Sequence, residues 1–159
     1  MADIVSDGFT RVSHFPSCAN TSSPTTTELN AGIQLQAVLT ADGLVGFEVS
    51  TQPVDTQALN SLFATNTIGR DQASGTMFRF KKQTATDTTF NTITRGTAGF
   101  VAIRRSIAET TAWASSQALQ VYAVIYGNTR FLNPEANSLE KWEVDVFFTA
   151  TPVMRASVA

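Results

Sequence analysis

The sequence predicts a mainly β protein, a β-sandwich or partly open barrel of roughly six or seven strands with one or two short helices. Three segments carry this prediction. Apolar and polar residues alternate over residues 142–150 and again over residues 33–49, whereas residues 119–126 are apolar on both faces. Alternation with a period of two is the pattern of a half-buried strand, and a strand that is apolar on both faces is typical of a covered position.

The amino-terminal part of the chain predicts little structure of its own. Residues 1 to about 30 are dominated by Ser, Thr, Pro, Asn and Asp, with one short alternation from Thr10 to Phe15. Such a segment buries too little apolar surface to offset the entropy of ordering it. We therefore predict an arm over residues 1–23 that becomes ordered only when another surface covers it, with Val12 and Phe15 docking on that surface. Residues 24–159 then form one β domain.

Two elements are predicted next along the chain. The alternation over residues 33–49 is interrupted by Ala, Asp and Gly at 41–43, which predicts a β-hairpin that turns there. Residues 55–64 follow a proline and carry large apolar residues at helical spacing, which predicts a short helix. Those apolar residues are Leu59, Leu62 and Phe63.

The middle of the chain alternates between loops and strands. Residues 65–74 have no periodicity and predict an exposed loop, whereas residues 76–80 alternate and predict a strand. Residues 87–93 predict one or two helical turns, because a glycine, Gly96, follows where a helix end favours one. Residues 100–103 then predict another strand.

The remaining segments complete the predicted sheet. Residues 109–117 are polar and predict an excursion from the domain, before the strand at 119–126. Residues 128–138 predict a second loop, which leads into the strand at 142–150.

Composition limits the function classes. The chain has 159 residues, with Lys+Arg 11 against Asp+Glu 13, one His and one Cys. This length fits one domain with a real core. The near balance of charge argues against a protein that grips nucleic acid, which needs clustered basic residues. A single Cys allows no intrachain disulfide, and no signal peptide or run of about 18 apolar residues is present, so we predict a chain that is cytoplasmic when made and binds no membrane.

Catalytic and metal-binding patterns are weak. His14 is the single histidine and lies in the predicted arm, where we interpret it as an exposed polar residue. Cys18 has no second Cys for zinc and no nearby base to activate it, so we interpret it as inert. The glycines at 96 and 99 lack the Lys-Ser/Thr of a phosphate loop. We therefore predict that the chain is no enzyme and binds no cofactor.

The charged residues suggest surfaces rather than chemistry. Glu143 and Asp145 point to the same face of their strand, where a solvated sheet face is favoured over a pair of catalytic carboxylates. Arg79 and Lys81 also share one face, and a solvated or interfacial stripe that pairs with acid on a neighbour is favoured over a nucleic-acid site. We interpret the pair at 104–105, Arg104 and Arg105, in the same way.

Several short strings together resemble one protein family. They are Pro-Thr-Thr-Thr-Glu-Leu-Asn-Ala-Gly-Ile-Gln-Leu at 24–35, Gly-Phe at 46–47, the segment 59–63, Gly-Arg at 69–70, Arg-Gly-Thr-Ala-Gly-Phe-Val at 95–101 and Thr-Ala-Thr-Pro at 149–152. In order and spacing they resemble the tail tube proteins, or major tail proteins, of long-tailed bacteriophages, especially those that infect actinobacteria. The resemblance covers about residues 24–159. The chain departs from it in a longer stretch before Pro24 and a polar insertion at about 107–117.

The resemblance implies a tail tube β-sandwich whose copies close into hexameric rings. Stacked rings would form a tube whose lumen conducts the genome into the host, and double-stranded DNA would pass without specific binding. The implied partners are further copies of this chain, tape-measure protein and tail-completion proteins. The implied place is the virion tail, after synthesis and assembly in the host bacterial cytoplasm. The alternative from another class is a capsid-decorating or receptor-binding β-module.

Within a tube, the singled-out residues take particular places. We predict that Glu143 and Asp145 face the lumen, where a ring of carboxylates would repel phosphate. We predict that the loop at 65–74 crosses to another subunit or ring through Arg70 and Asp71. The remaining candidates for contacts between subunits are Val12, Phe15, Arg79 and Lys81.

Overall fold

The structure is a computed structural model that describes residues 3–4, 6–84 and 86–159. Within these ranges the elements follow one another as β1 (Arg11–Phe15), α1 (Thr26–Asn30), β2 (Ile33–Gln34), β3 (Leu39–Val45), β4 (Ser50–Asp55), β5 (Asn66–Gln72), β6 (Met77–Lys81), α2 (Thr88–Thr92), β7 (Ala98–Arg104), β8 (Ala118–Phe131), β9 (Lys141–Phe148) and β10 (Val153–Ser157). The prediction of a mainly β fold with one or two short helices is confirmed, although the described residues form ten strands rather than six or seven.

One large antiparallel sheet forms the body of the domain. Its strands lie in the order β2-β1-β7-β8-β9-β6-β3, and β10 pairs with the part of β8 that β9 leaves free. Strands β4 and β5 form a separate two-stranded sheet. The strands predicted at 76–80, 100–103, 119–126 and 142–150 are confirmed as β6, β7, β8 and β9.

The large sheet curls until its two edges approach each other. The edge strands β2 and β3 are joined by a short connection, in which the Leu35 N–H donates to Val12 O at 2.8 Å and Val38 O accepts from the Lys81 N–H at 2.8 Å. Because a few residues span at most about 3.5 Å each, this connection holds the edges close without pairing them. The result is the partly open barrel that the sequence predicts.

Apolar side chains fill both faces of the sheet, as the pattern at 119–126 predicts. The inner cluster holds most of the aromatic residues, and Trp142 packs there on Phe80 at a centroid distance of 4.5 Å. The outer cluster lies under α1, β10 and the connection between β7 and β8. Its buried members are Phe15, Leu29, Ala102, Trp113, Leu119, Val121, Ala156 and Val158.

The predicted hairpin over residues 33–49 is wrong. Strand β2 pairs with β1, and β3 runs through residues 41–43 to pair with β6, with a bulge between Leu39 and Leu44. Gly43 allows this bulge, because a Cβ there would lie 2.5 Å from the backbone oxygen of Arg79. The turn residues of the sequence therefore mark a bulge rather than a reversal of the chain.

The predicted helix at 55–64 and loop at 65–74 are also wrong. Strands β4 and β5 pair as a hairpin that spans this region, with an irregular tip at 56–65. A helix of about ten residues is marginal in water unless its apolar face packs on something, and Leu59, Leu62 and Phe63 are exposed here. Pro53 fits the observed strand because it lies in a two-stranded sheet, where both strands are edges.

Other boundaries differ in extent. The predicted loop at 128–138 begins later, because β8 continues to Phe131 alongside β9. Helix α1 was not predicted, although a capping box at Thr25 and Glu28 marks its start. Helix α2 confirms the prediction at 87–93, and the Asp87 carboxylate caps it by accepting from the Phe90 N–H at 3.0 Å.

The amino-terminal segment is not a separate arm in this structure. Strand β1 lies between β2 and β7, with Arg11 opposite Arg104 and Phe15 opposite Phe100. Val12 and Phe15 are fully buried in the inner and outer clusters of their own chain. Their predicted docking on a neighbour is corrected, since no exposed part of either side chain remains. Residues 1, 2 and 5 of the predicted arm lie outside the described residues.

Candidate interaction surfaces

The β4–β5 hairpin projects from the domain. Every described residue from 50 to 68 is exposed, and Gly69 and Ala73 alone are half-buried between 50 and 75. Gly69 is required for the pairing, because a Cβ there would lie 2.4 Å from the backbone oxygen of Gln52. The two strands are therefore held together mainly by their own backbone bonds.

The tip of the hairpin carries large apolar side chains in water. Leu59, Leu62 and Phe63 are exposed by 108%, 106% and 78%. Ile68 on β5 is exposed too, and residues 56–69 contain no charged side chain. Exposed apolar surfaces of this kind are typical of sites that bind another molecule.

Arg70 and Asp71 lie on β5 rather than in a loop. The Asp71 carboxylate accepts a hydrogen bond from Thr51 Oγ1 at 2.6 Å across the hairpin, and Arg70 points to solvent. The predicted role of these residues in subunit contacts stays a prediction. The stronger signal in this region is the apolar tip, which the sequence shows only as helical spacing.

Glu143 and Asp145 belong to a cluster of alternating charges on the outer face of β9. Glu143 is only 7% exposed and accepts from Arg79 Nε at 3.1 Å and from Arg130 Nε at 2.6 Å. Arg130 Nη1 also donates to Asp145 Oδ2 at 2.8 Å, and Arg79 Nη1 donates to Asp42 Oδ2 at 3.0 Å. Arg79 therefore pairs with acid as predicted, but its partners Asp42 and Glu143 lie on the same chain rather than on a neighbouring copy.

This pairing changes the electrostatics of the stripe. Three carboxylates face two guanidinium groups, so the five side chains together carry one negative charge. Hydrogen bonds from Thr40 and then Arg79 lower the pKa of Asp42. The hydrogen bond to Glu143 raises the pKa of Arg79, and that to Asp145 raises the pKa of Arg130. Asp42, Arg79 and Arg130 therefore stay charged near neutral pH.

Lys81 lies at the end of the same face, opposite Lys141 in the pairing of β6 with β9. Its neighbour Lys82 turns the other way and bonds the Asp87 carboxylate at 3.0 Å, next to the start of α2. Lys81 stays a candidate for contacts between copies, whereas Lys82 supports the local fold.

Arg104 is fully buried, which corrects its interpretation as a surface residue. Its Nη2 donates to the backbone oxygens of Ala108 and Thr111, each at 2.8 Å, and its Nη1 donates to Gln117 Oε1 at 2.8 Å. The guanidinium also lies 5.0 Å from the Trp113 ring centroid. Through these hydrogen bonds Arg104 holds the connection between β7 and β8 in place over the outer cluster.

His14 is also buried, and its interpretation as an exposed residue is wrong. Its Nδ1 lies 2.9 Å from the Tyr126 hydroxyl in the interior of the sheet. Burial lowers the pKa of His14 from 6.5 to about 4, so the ring is neutral near pH 7. A neutral imidazole bonded to a buried tyrosine, with no carboxylate in the pair, is a structural contact.

We predict that this contact makes stability depend on pH. The unfolded chain takes up the proton near the ordinary pKa of 6.5, whereas the folded chain resists it down to about 4. Stability is therefore complete above pH 6.5 and falls by up to about 3 kcal/mol as the pH drops to about 4. Urea unfolding at several pH values measures this loss. In the His14→Gln control the loss between these pH values should largely vanish, and an unchanged profile would contradict the assignment.

The described residues contain no group of His, Cys, Asp and Glu side chains arranged to hold a metal ion. Burial, then the charge of Glu28, raises the pKa of the Cys18 thiol, which keeps it in the unreactive form. None of the helices described is long and apolar enough to cross a membrane.

Two solved structures are similar to this chain at low sequence identity. A chain in the cryo-EM structure of the anti-feeding prophage baseplate, 6-fold symmetrised, is similar with a TM-score of 0.63 and 7% identity, over 96% of this chain and 97% of that chain. The crystal structure of Hcp protein is similar with a TM-score of 0.39 and 14% identity, over 91% of this chain and 96% of that one. No curated protein matches the sequence.

The family comparison covers the chain from end to end. The family model described as phage tail tube protein matches residues 1–159. The stretch before Pro24 and the polar segment at 107–117 both lie inside this match. The matched length, together with a mainly β fold and its projecting hairpin, leads to one conclusion: the chain belongs to the phage tail tube protein family.

Proposed function

We propose that this tail tube subunit assembles into hexameric rings, and that the rings stack into a tube whose lumen conducts the phage genome into the host. The observation that carries the proposal is the β4–β5 hairpin, whose apolar tip contacts nothing in the described part of its own chain. Family membership supports the tube, and the occurrence of the same fold in a 6-fold symmetrised particle supports the number six.

The hairpin tip stabilises an assembly only by burial against another copy. Fully burying Leu59, Leu62 and Phe63 contributes about 1.5–3 kcal/mol each before the costs of association. Those costs are about 4–15 kcal/mol, so the tip needs further contacts around it. A subunit that touches several neighbours in a ring and a stack supplies such contacts.

The type of contact also suits a tube. A projecting element on one copy that meets a different surface on the next copy makes a heterologous contact, which produces closed rings or continuing stacks. A symmetric pairing of two hairpins would instead stop at a dimer.

The placement of Glu143 and Asp145 at the lumen is also part of the proposal, with a changed physical basis. Because Arg79 and Arg130 neutralise most of the acid, the face would present alternating charges of small net sign to the passing DNA. Such a surface offers no cluster of cations for phosphate to bind.

We predict that Asp42→Lys, in the same charged cluster as Glu143 and Asp145, slows genome ejection while tubes still form. The substitution leaves the Arg130 bond to Glu143 at 2.6 Å intact but repeats a new cation around the lumen. The defect should ease as salt rises, because screening limits the interaction to about 10 Å at 0.1 M. Ejection rates of virions at several salt concentrations measure it. Glu135→Lys, in the exposed connection after β8, is the matched control. Equal slowing by both variants would contradict the lumen assignment.

The further partners follow from the same proposal. The tape-measure protein would fill the lumen during assembly, and tail-completion proteins would cap the tube in the virion tail. Synthesis and assembly would take place in the host cytoplasm. The chain's part in this is structural, with no catalytic step.

Electron microscopy of the purified protein tests the proposal. We expect rings or tubes with a central channel at high protein concentration. A chain that stays monomeric at every concentration and salt condition would instead favour the decorating or receptor-binding module.

A further inference from the structure

A groove of about 530 Å³ lies at the base of the β4–β5 hairpin. One wall is the chain that leaves β5 and enters β6, and the other is the end of β9 with the turn that follows it. Apolar side chains line much of it, and Phe147 among them is more than half exposed. The apolar lining residues are Val49, Ala73, Val146, Phe147, Phe148, Ala150 and Pro152.

The groove also contains an open strand edge. Strand β6 pairs with β9 only as far as Met77 opposite Asp145, and the last bond on that side runs from the Val146 N–H to Thr76 O at 2.9 Å. The chain then turns away at Gly75, where φ is +64°. Since backbone groups alternate sides along a strand, those of Phe148 face the groove.

The hairpin of the same chain cannot fill this groove. Val49 and Gln72 line the groove, so it lies where the hairpin begins and ends. Strand β4 runs from Ser50 to Asp55, and at about 3.3 Å for each residue the tip begins roughly 16 Å from its own base. An occupant that resembles the tip must come from another molecule.

We infer that the groove of one copy receives the hairpin tip of the next copy, a contact that rests on the proposed tube and names its partner surface. The tip is uncharged over residues 56–69. The two carboxylates at the groove, Asp71 and Asp145, are already bonded to Thr51 and Arg130. Volumes of about 300–1,000 Å³ accept ligands of drug size, so several apolar side chains fit.

This contact is head-to-tail, and it can be blocked from either side. Leu62→Asp places a charge on the tip, and Ala150→Arg places a bulky charge in the groove at an exposed position. Each variant should remain folded and should fail to form rings or tubes. Ala37→Arg, on the exposed turn before β3, is the matched control and should assemble normally.

The decisive sample is the mixture of the two blocked variants. One intact tip and one intact groove remain between them, so we expect dimers of one copy of each by native mass spectrometry. Normal assembly of Ala150→Arg would overturn the groove as the receiving surface and leave the proposed tube standing. Normal assembly of Leu62→Asp would instead count against any role of the hairpin in the tube.

A cysteine pair tests the contact directly. In a chain that carries Cys18→Ser, Leu62→Cys and Ala150→Cys, mild oxidation should link copies into a ladder of oligomers. A mixture that stays monomeric, together with oxidation that links no copies, would overturn the inference.

Discussion

The double variant Leu62→Asp, Phe63→Asp should remain a folded monomer at concentrations where the unchanged chain forms tubes. Both side chains lie in water at the hairpin tip, so their loss removes nothing from the core of the subunit. In the tube each would contribute about 1.5–3 kcal/mol, and losing both should raise the concentration needed for assembly by roughly 100-fold or more. Sedimentation and electron microscopy across a concentration series measure the change.

Leu139→Asp is the control for this variant. Leu139 is also a large exposed apolar residue, but it lies in the connection between β8 and β9. Its replacement should leave assembly close to normal. Tubes of the double variant at the unchanged concentration would contradict the role of the hairpin.

The largest effect on the folded subunit should come from Arg104→Met. The substitution removes the donors to the backbone oxygens of Ala108, Thr111 and Ala112 and to Gln117 Oε1. Ala108 O, Thr111 O and Ala112 O each keep a second donor, in the Thr111 N–H, Arg11 and Gln117, whereas Gln117 Oε1 loses its own. An acceptor left without a donor costs about 1–3 kcal/mol where water cannot reach it, and the other lost bonds to the guanidinium add to this. We expect a loss of about 3–5 kcal/mol, which lowers Tm by roughly 6–20 °C in a domain of this size.

Arg105→Met separates this effect from the loss of a positive charge. Arg105 is the next residue on the chain and is exposed, so its replacement should change Tm by a degree or two at most on the scale of ordinary surface substitutions, about 0.5 kcal/mol. Calorimetry of the two variants gives the comparison. Equal melting temperatures would contradict the structural role of Arg104.

The strands that could be predicted from the sequence are those with at least one face covered by the rest of the domain. Trp142, Val144 and Val146 face the inner cluster because β9 has one covered and one charged face, and this asymmetry is readable in the chain. Strand β8 could be predicted because both of its faces are covered, which makes the segment apolar throughout.

The β4–β5 hairpin could not be predicted from the sequence, because its side chains do not pack against the rest of the domain. Without a covered face β4 and β5 show no alternation, and the apolar tip suggested a helix by spacing alone. Its strands depend on pairing between residues far apart in sequence, such as Pro53 with Ile68, which local propensity does not report.

Buried polar residues were misjudged for a related reason. His14 and Arg104 look like surface residues by type, but each finds hydrogen-bond partners distant in sequence, Tyr126 for the first and the connection after β7 for the second. The burial of Arg104 could have been predicted from its position, since it continues the strand at 100–103 on the same face as Ala102.

The measurement that tests the account most directly is a cryo-EM reconstruction of the tube assembled from this chain. The account predicts stacked rings of six copies around an open lumen, with the hairpin tip of each copy, Leu59, Leu62 and Phe63, buried against another copy. A reconstruction in which those side chains remain in solvent would contradict it, as would a particle without a continuous channel.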